Sequence, residues 1–358
     1  MVTNRFCNIA ISSLIVMGMT ACSSDDPSNG GTQINSQADQ ISVLLNSTAN
    51  RVTNYGNTTG AKAFTRALPT NGVPSLGLTL PEKPTGENWA PLNTGDTQLS
   101  ENSVVSIALS PISLDMNGKE LLLKKDLTLT GLTGAGTIYV PGSKTLTLDG
   151  VSSTGTSIIV YGGGKLVIKN ASTFTVENGA SLMAKTSFYK SGDGNKGAGE
   201  NQTFRGIDVV NNGEILTANE FHANKITLGA GSKTQIGTNL TADEALEANG
   251  EVSAEIISAQ SATVTGTLVA SKLLTLSNSL TVNGKDAAVY GNYIKAGQYD
   301  DSKKAAATFI RQENGSNIYV GSNGMINTYT YYNTDGKGSK INLTDGALAV
   351  LATKQIVT

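Results

Sequence analysis

From about residue 104 the chain settles into short alternations of apolar and polar residues. In "TIYVPGSKTLTLDGVSSTGTSIIVYGGGKLVIKNASTFTVENGASLMA" they mark strands at 137–140, 145–148, 157–160, 165–168, 173–176 and 181–184. The starts lie eight residues apart, save one step of twelve. Between them stand four-residue turns rich in Gly, Asn and Ser, residues that tolerate tight corners. Strands this short suit the sides of a parallel coil better than a stack of hairpins. Apolar residues then stack inward, coil upon coil. Downstream the period tightens. Leu268, Leu274 and Leu280 stand six apart, and Ile215, Phe221 and Ile226 nearly so. Three six-residue sides make a coil of roughly 18 residues. The pattern predicts an all-β chain: a single-stranded parallel β-helix over 104–285, with a right-handed winding preferred. Between about 120 and 283 it would hold roughly seven to nine coils at about 4.8 Å each.

The segments around this body read differently. Residues 36–55 are the one good helix candidate: Ser36 can cap it, and Ile41, Leu44, Leu45 and Val52 share a face. Residues 56–103 hold most of the prolines and the only Trp, Trp89, and read as an irregular linker or wrap. "SFYKSGDGNKGAGENQ" (187–202) has no apolar period and should loop out of one coil. The region 286–358 carries 7 of the 11 tyrosines and reads as a β-rich cap. Within it "SNIYVGSNGMINTYTYYN" reads as two longer strands around a Ser-Asn-Gly turn. The terminal "ALAVLATKQIVT" reads as an apolar strand, either a fold-back cap or an edge awaiting a partner.

Composition agrees with strands. Charged residues make up 15% and aromatic residues 5%, while Gly reaches 40. That suits pleated surfaces and tight turns rather than a helical bundle. The net charge of −2 offers no basic surface for phosphates, so nucleic acid is not an expected partner. Both cysteines, Cys7 and Cys22, fall in the first 22 residues, leaving no Cys-based metal site in the body.

The N-terminus is more specific. Arg5 precedes an apolar run at 9–19, too short to span a bilayer. Then comes Met19-Thr20-Ala21-Cys22, which resembles the lipobox of bacterial lipoproteins. The resemblance implies a signal peptide over 1–21, cleavage before Cys22, and acylation of that cysteine. Several acyl chains then form an anchor. Residues 22–35 ("CSSDDPSNGGTQIN") read as a polar tether. Their "SSDD" resembles the surface-export signal of Bacteroidetes lipoproteins. With the Gly/Thr/Val-rich coils, the chain resembles a Bacteroidetes-type surface lipoprotein with a β-solenoid body. That implies an outer-membrane location, lipid-anchored and facing outside. The tightened coils also resemble bactofilin-like slim β-helices.

Candidate chemistry is sparse. His222, in "NEFHANK", is the only histidine and reads as a surface residue. That leaves Ser/His/Asp and Cys/His schemes without a base. "YGGGK" and "GDGNKGAG" do not complete a phosphate loop and read as corner and loop. No cofactor and no metal are expected. An enzymatic alternative, a β-helix polysaccharide lyase or glycoside hydrolase, would use Arg205, Asp208, Glu214 and Glu220. Tyr319, Tyr329 and Tyr331 form a candidate ligand platform, weighed against plain packing. The leading expectation is a non-enzymatic rod for adhesion, glycan binding or envelope assembly, its partners glycans or other surface proteins. A self-associating scaffold is the third reading.

Overall fold

The computed structural model describes residues 11–12, 15–16, 75–188, 203–297, 309–328, 330–333, 338–343 and 348–351. The tether (22–35), the helix candidate (36–55), most of the loop 187–202, and Tyr329 lie outside them. Ile11–Ser12 and Ile15–Val16 form a small antiparallel pair. From Ala90 onward all strand pairing is parallel among the described residues, and no helix occurs there. The chain is a parallel β-solenoid.

Each full coil has three sides. The first wall contains Glu120–Leu123, Gly136–Val140, Thr156–Val160, Ser181–Ala184, Glu214–Thr217, Lys233–Ile236, and the starts of Glu251–Val264 and Thr267–Asn283. That is eight rungs between 120 and 283, within the expected seven to nine. Its inward column is Ile138, Ile158, Leu182, Ile215, Thr234, Val252, Leu268, Val289 and Ile318, in direct register. Every aliphatic member of it is 0% exposed. Burying each such side chain contributes about 1.5–3 kcal/mol, so the column holds the walls together along their length.

Coil length follows from the paired positions. Early coils are long: Ile138 pairs with Ile158, and Ile158 with Leu182. Later ones shorten step by step, as Ile215 pairs with Thr234, Thr234 with Val252, and Val252 with Leu268. The tightening expected from the sequence is therefore real. Its cause is the loss of turns: Glu251–Val264 runs over all three walls, with register shifts at Ala254/Ile256 and Ala259/Ser261 marking the corners. Leu268, Leu274 and Leu280 each head one wall and are fully buried. The longest coil runs from Leu182 to its partner Ile215 and carries the polar insertion. Phe188 at its start and Phe204 just after it are both buried, with ring centroids 5.4 Å apart. Phe221 packs on both rings and Phe174 on Phe204. The insertion thus leaves and rejoins the core at one aromatic cluster.

Two boundaries differ from the sequence reading. The solenoid does not stop at 285. Ala288–Ala296 and Asn317–Thr328 continue the same walls, and Lys340–Leu343 and Leu348–Leu351 pair in parallel with the latter. The Ser-Asn-Gly stretch is a coil corner: Gly291 faces Val320 and Tyr293 faces Met325, so each half of "NIYVGSNGMINT" pairs with the preceding coil. The two halves lie on different walls and cannot pair with each other. The terminal strand likewise extends a wall instead of folding back as a cap.

The other difference lies upstream. Ala90–Pro91 already pairs with Ser103–Val105, so coiling starts within the expected linker. Before that, residues 75–89 run along the outside of the first wall as a strap. The wall's outward positions Val104, Leu122, Tyr139, Ile159 and Met183 are apolar and buried, with Leu80, Trp89, Tyr161 and Leu216 packed against them. The Leu76 N–H donates to Gln235 Oε1 at 2.7 Å, fixing the strap's upstream end. Gly86, at φ 64°, lies flat on the stripe; a Cβ there would stand 2.7 Å from a Leu122 methyl.

Candidate ligand cleft

The strap does more than cover the wall, because its middle stands off from two coil corners. Those corners are 141–144 and 161–164. They stack backbone on backbone: the Ser143 N–H donates to the Gly163 carbonyl at 3.0 Å, and the Lys165 N–H to the Lys144 carbonyl at 2.8 Å. Gly164 permits this contact, since a Cβ on it would lie 2.6 Å from the Val140 carbonyl oxygen. Corners without side-chain bulk leave space between wall and strap. The result is an open cleft of about 690 Å³. Leu80, Pro81, Glu82 and Lys83 form the strap side, and Gly142, Tyr161, Gly162, Lys185 and Thr186 the coil side.

Tyr161 ties the two sides together. Its Oη donates to the Pro81 carbonyl at 3.0 Å. Its ring stacks on Tyr139 at 6.5 Å between centroids, and Tyr139 meets Trp89 at 6.3 Å. Burial raises the Tyr161 phenol to about 12, so it stays a neutral donor throughout the physiological range. Lys83 and Lys185 are exposed at the cleft, one on each side, and Glu82 is the carboxylate among its described lining residues. An aromatic ring and two ammonium groups lining one cleft can stack on an apolar face and pair with an anion of the same ligand. Among the described residues the cleft offers one carboxylate, where a glycosidase pair needs two.

The residues expected from sequence lie elsewhere. Asp208 belongs to Asp208–Asn211 on the third wall and accepts from Asn224 Nδ2 at 2.8 Å. Glu214 opens Glu214–Thr217 on the first wall and accepts from Ser181 Oγ at 3.2 Å. Glu220 stands at the corner before Phe221–Ala223 and accepts from Asn239 Nδ2 at 3.0 Å. Arg205 is exposed ahead of the third wall. Three walls point three ways, so the four are not gathered around one sugar. His222 bonds Asp243 at 2.7 Å on the second wall, as a surface pair. Among the described residues, no cluster could hold a metal ion.

The tyrosines divide. Tyr331 pairs with Ile310, packs against the core, and donates to Gln312 Oε1 at 2.8 Å. It belongs to the core and not to a ligand platform, because its register places it inward. Tyr319 is half-buried on the outside of the first wall, stacked on Tyr290 at 4.5 Å and 4°. Sequence reasoning missed Tyr161, Lys83 and Lys185. The available signal was a tyrosine directly before the Gly-rich corner "YGGGK". Comparisons with protein-family models, curated proteins and solved structures find no match to this chain.

Proposed function

We propose that the chain is a lipid-anchored rod on the outer face of the outer membrane, and that it binds acidic polysaccharide without cleaving it. The carrying observation is the cleft that Tyr161 lines together with Lys83 and Lys185, with Glu82 the carboxylate among its described lining residues. The phenol and ring supply orientation and a stacking face; the two ammonium groups favour uronate or sulfate groups over neutral sugars. Support for the anchor comes from the Met19–Cys22 lipobox and the polar stretch after it. A coil stack with a shallow lateral cleft suits an extended polymer, which can lie across several rungs.

Two measurements test this. Cells expressing the chain should incorporate labelled palmitate, and Cys22→Ala should abolish it. On a glycan array, the purified chain should bind acidic polysaccharides. Tyr161→Ala or Lys185→Ala should weaken binding by about tenfold or more, or ~1.4 kcal/mol. Products of any bound glycan should be unchanged in length. Cleavage, or binding indifferent to both substitutions, would sink the cleft as a binding site.

A further inference from the structure

We infer that the cleft is one end of a longer anion track, in which an acidic polysaccharide lies lengthwise along the rod with about one sugar per coil. This rests on the binding reading proposed above, and it adds a direction, a length and further contact residues. The track is the edge where the first wall turns into the second. Four successive coils turn there, at 124–126, 141–144, 161–164 and 185–186. The ladder fixes their order. The Lys124 N–H donates to the Val105 carbonyl, the Tyr161 N–H to that of Val140, and the Lys185 N–H to that of Val160. On the second wall Leu127 faces Leu146, which faces Leu166. Lys125 and Lys144 stand two residues before the first two, and Lys165 directly before the third. Each of the four coils therefore brings a lysine to this edge, and the strap adds Lys83.

The charge on this edge is local, since the whole chain carries −2. Its six lysines stand against Glu82 and Asp126. Asp126 is turned into the ladder, where it accepts from the Thr145 N–H at 2.8 Å. Lys124, Lys125 and Lys185 are exposed and Lys144 is half-exposed. Among the described residues none of these four pairs with a carboxylate; the lysine pairs lie on later coils, Lys225 with Glu247 at 2.6 Å and Lys272 with Glu255 at 2.7 Å. The middle of the track is bare backbone, because a Cβ on Gly142 would stand 2.6 Å from the Gly162 carbonyl oxygen. A ligand chain can therefore lie close to the corners. Ammonium groups repeated at about 4.8 Å suit a ligand with one anionic group per repeat of similar size, and an extended chain of acidic sugars has that repeat. A nucleic acid strand also repeats its charge, but its bases call for a series of aromatic rings, and these corners carry one, Tyr161. The basic stretch also ends. The next two corner positions are Ala218 and Gly237, whose N–H groups donate to Ala184 and Thr217. Four coils make three steps, roughly 14 Å, which is room for about four sugars.

The test titrates the purified chain with oligogalacturonates of two, four and six residues. Affinity should rise about tenfold or more from two residues to four, as further coils are engaged by one ligand, and change little from four to six. Lys124→Gln with Lys125→Gln, both outside the cleft lining, should cut the affinity of the four-residue ligand severalfold and leave that of the two-residue ligand unchanged. A second measurement needs no variant. With the six-residue ligand bound, acetylation of Lys124, Lys125 and Lys144 should slow severalfold together with that of Lys185. Lys169, exposed at the far end of the second wall, should react as before. Protection of Lys83 and Lys185 alone, or an affinity independent of length, would overturn the track and leave the cleft as the binding site. Protection of no lysine would refute both. Equal affinity for an oligothymidylate of matched charge would mean a site for polyanions at large, and would overturn the match of sugar to coil.

Discussion

Tyr139 and Tyr161 show how a single side chain joins strap to coil. Tyr139 is buried under Trp89 and donates to Glu120 Oε1 at 3.1 Å. Its phenol is raised from 10.0 to about 12, chiefly by burial and then by the Glu120 carboxylate. Tyr161 is raised to about 12 by burial. Both groups stay protonated in the folded chain while the unfolded chain loses these protons above its ordinary value near 10. Between pH 10 and 12 the unfolded state therefore binds fewer protons, and stability falls as pH rises. The stabilising contribution is complete below pH 10. We expect the urea midpoint to decline through this window, with late-titrating tyrosinate absorbance. The double variant Tyr139→Phe, Tyr161→Phe should decline less steeply. An equal slope in the variant would show that the two phenols are not coupled to folding.

At the scale of elements, the sequence reveals sides and corners better than it reveals neighbours. All six strands expected between 137 and 184 fall within observed ones, from Gly136–Val140 to Ser181–Ala184. The reason is local: inward and outward positions alternate within four or five residues, and corners need Gly, Asn or Ser. Pairing partners are a different matter. The mate of Tyr290 is Tyr319, a whole coil further on, and nothing in the intervening chain specifies it. A Ser-Asn-Gly corner therefore looks like a hairpin turn until the preceding coil is in place. The strap was harder still to foresee. Its partners are outward residues of six coils, and each coil alone shows only one apolar residue where a polar one is usual. The cleft inherits the same difficulty, since Lys83, Tyr161 and Lys185 come from strap, one coil and the next. By contrast, the scatter of Asp208, Glu214 and Glu220 over three walls follows directly from their six-residue spacing, one side per step.

For the whole molecule the strap alters how stability is distributed. In a solenoid each coil touches only its neighbours, so stability is close to a sum of local terms and coils can open in groups. The strap instead runs from Gln235 back to Val104 and Leu122, binding together coils that never meet directly. Weakening it should loosen the N-terminal coils as a set while sparing those past Glu251. Trp89→Ala is the appropriate change, because its ring is half-buried against Tyr139 and takes no part in a ladder. Removing it should cost about 2 kcal/mol, less than the ~3–5 kcal/mol of a fully buried Trp. Amide exchange should accelerate in Ser103–Val105, Glu120–Leu123 and Gly136–Val140 and stay unchanged in Thr267–Asn283. Urea unfolding should broaden, with a smaller m value, as the linked coils cease to open together. Exposed apolar surface on the first wall should also bind a hydrophobic dye. Uniform acceleration along the rod would mean that the coils are coupled through their stacked core. In that case the strap is a cover for the wall and does not clamp it.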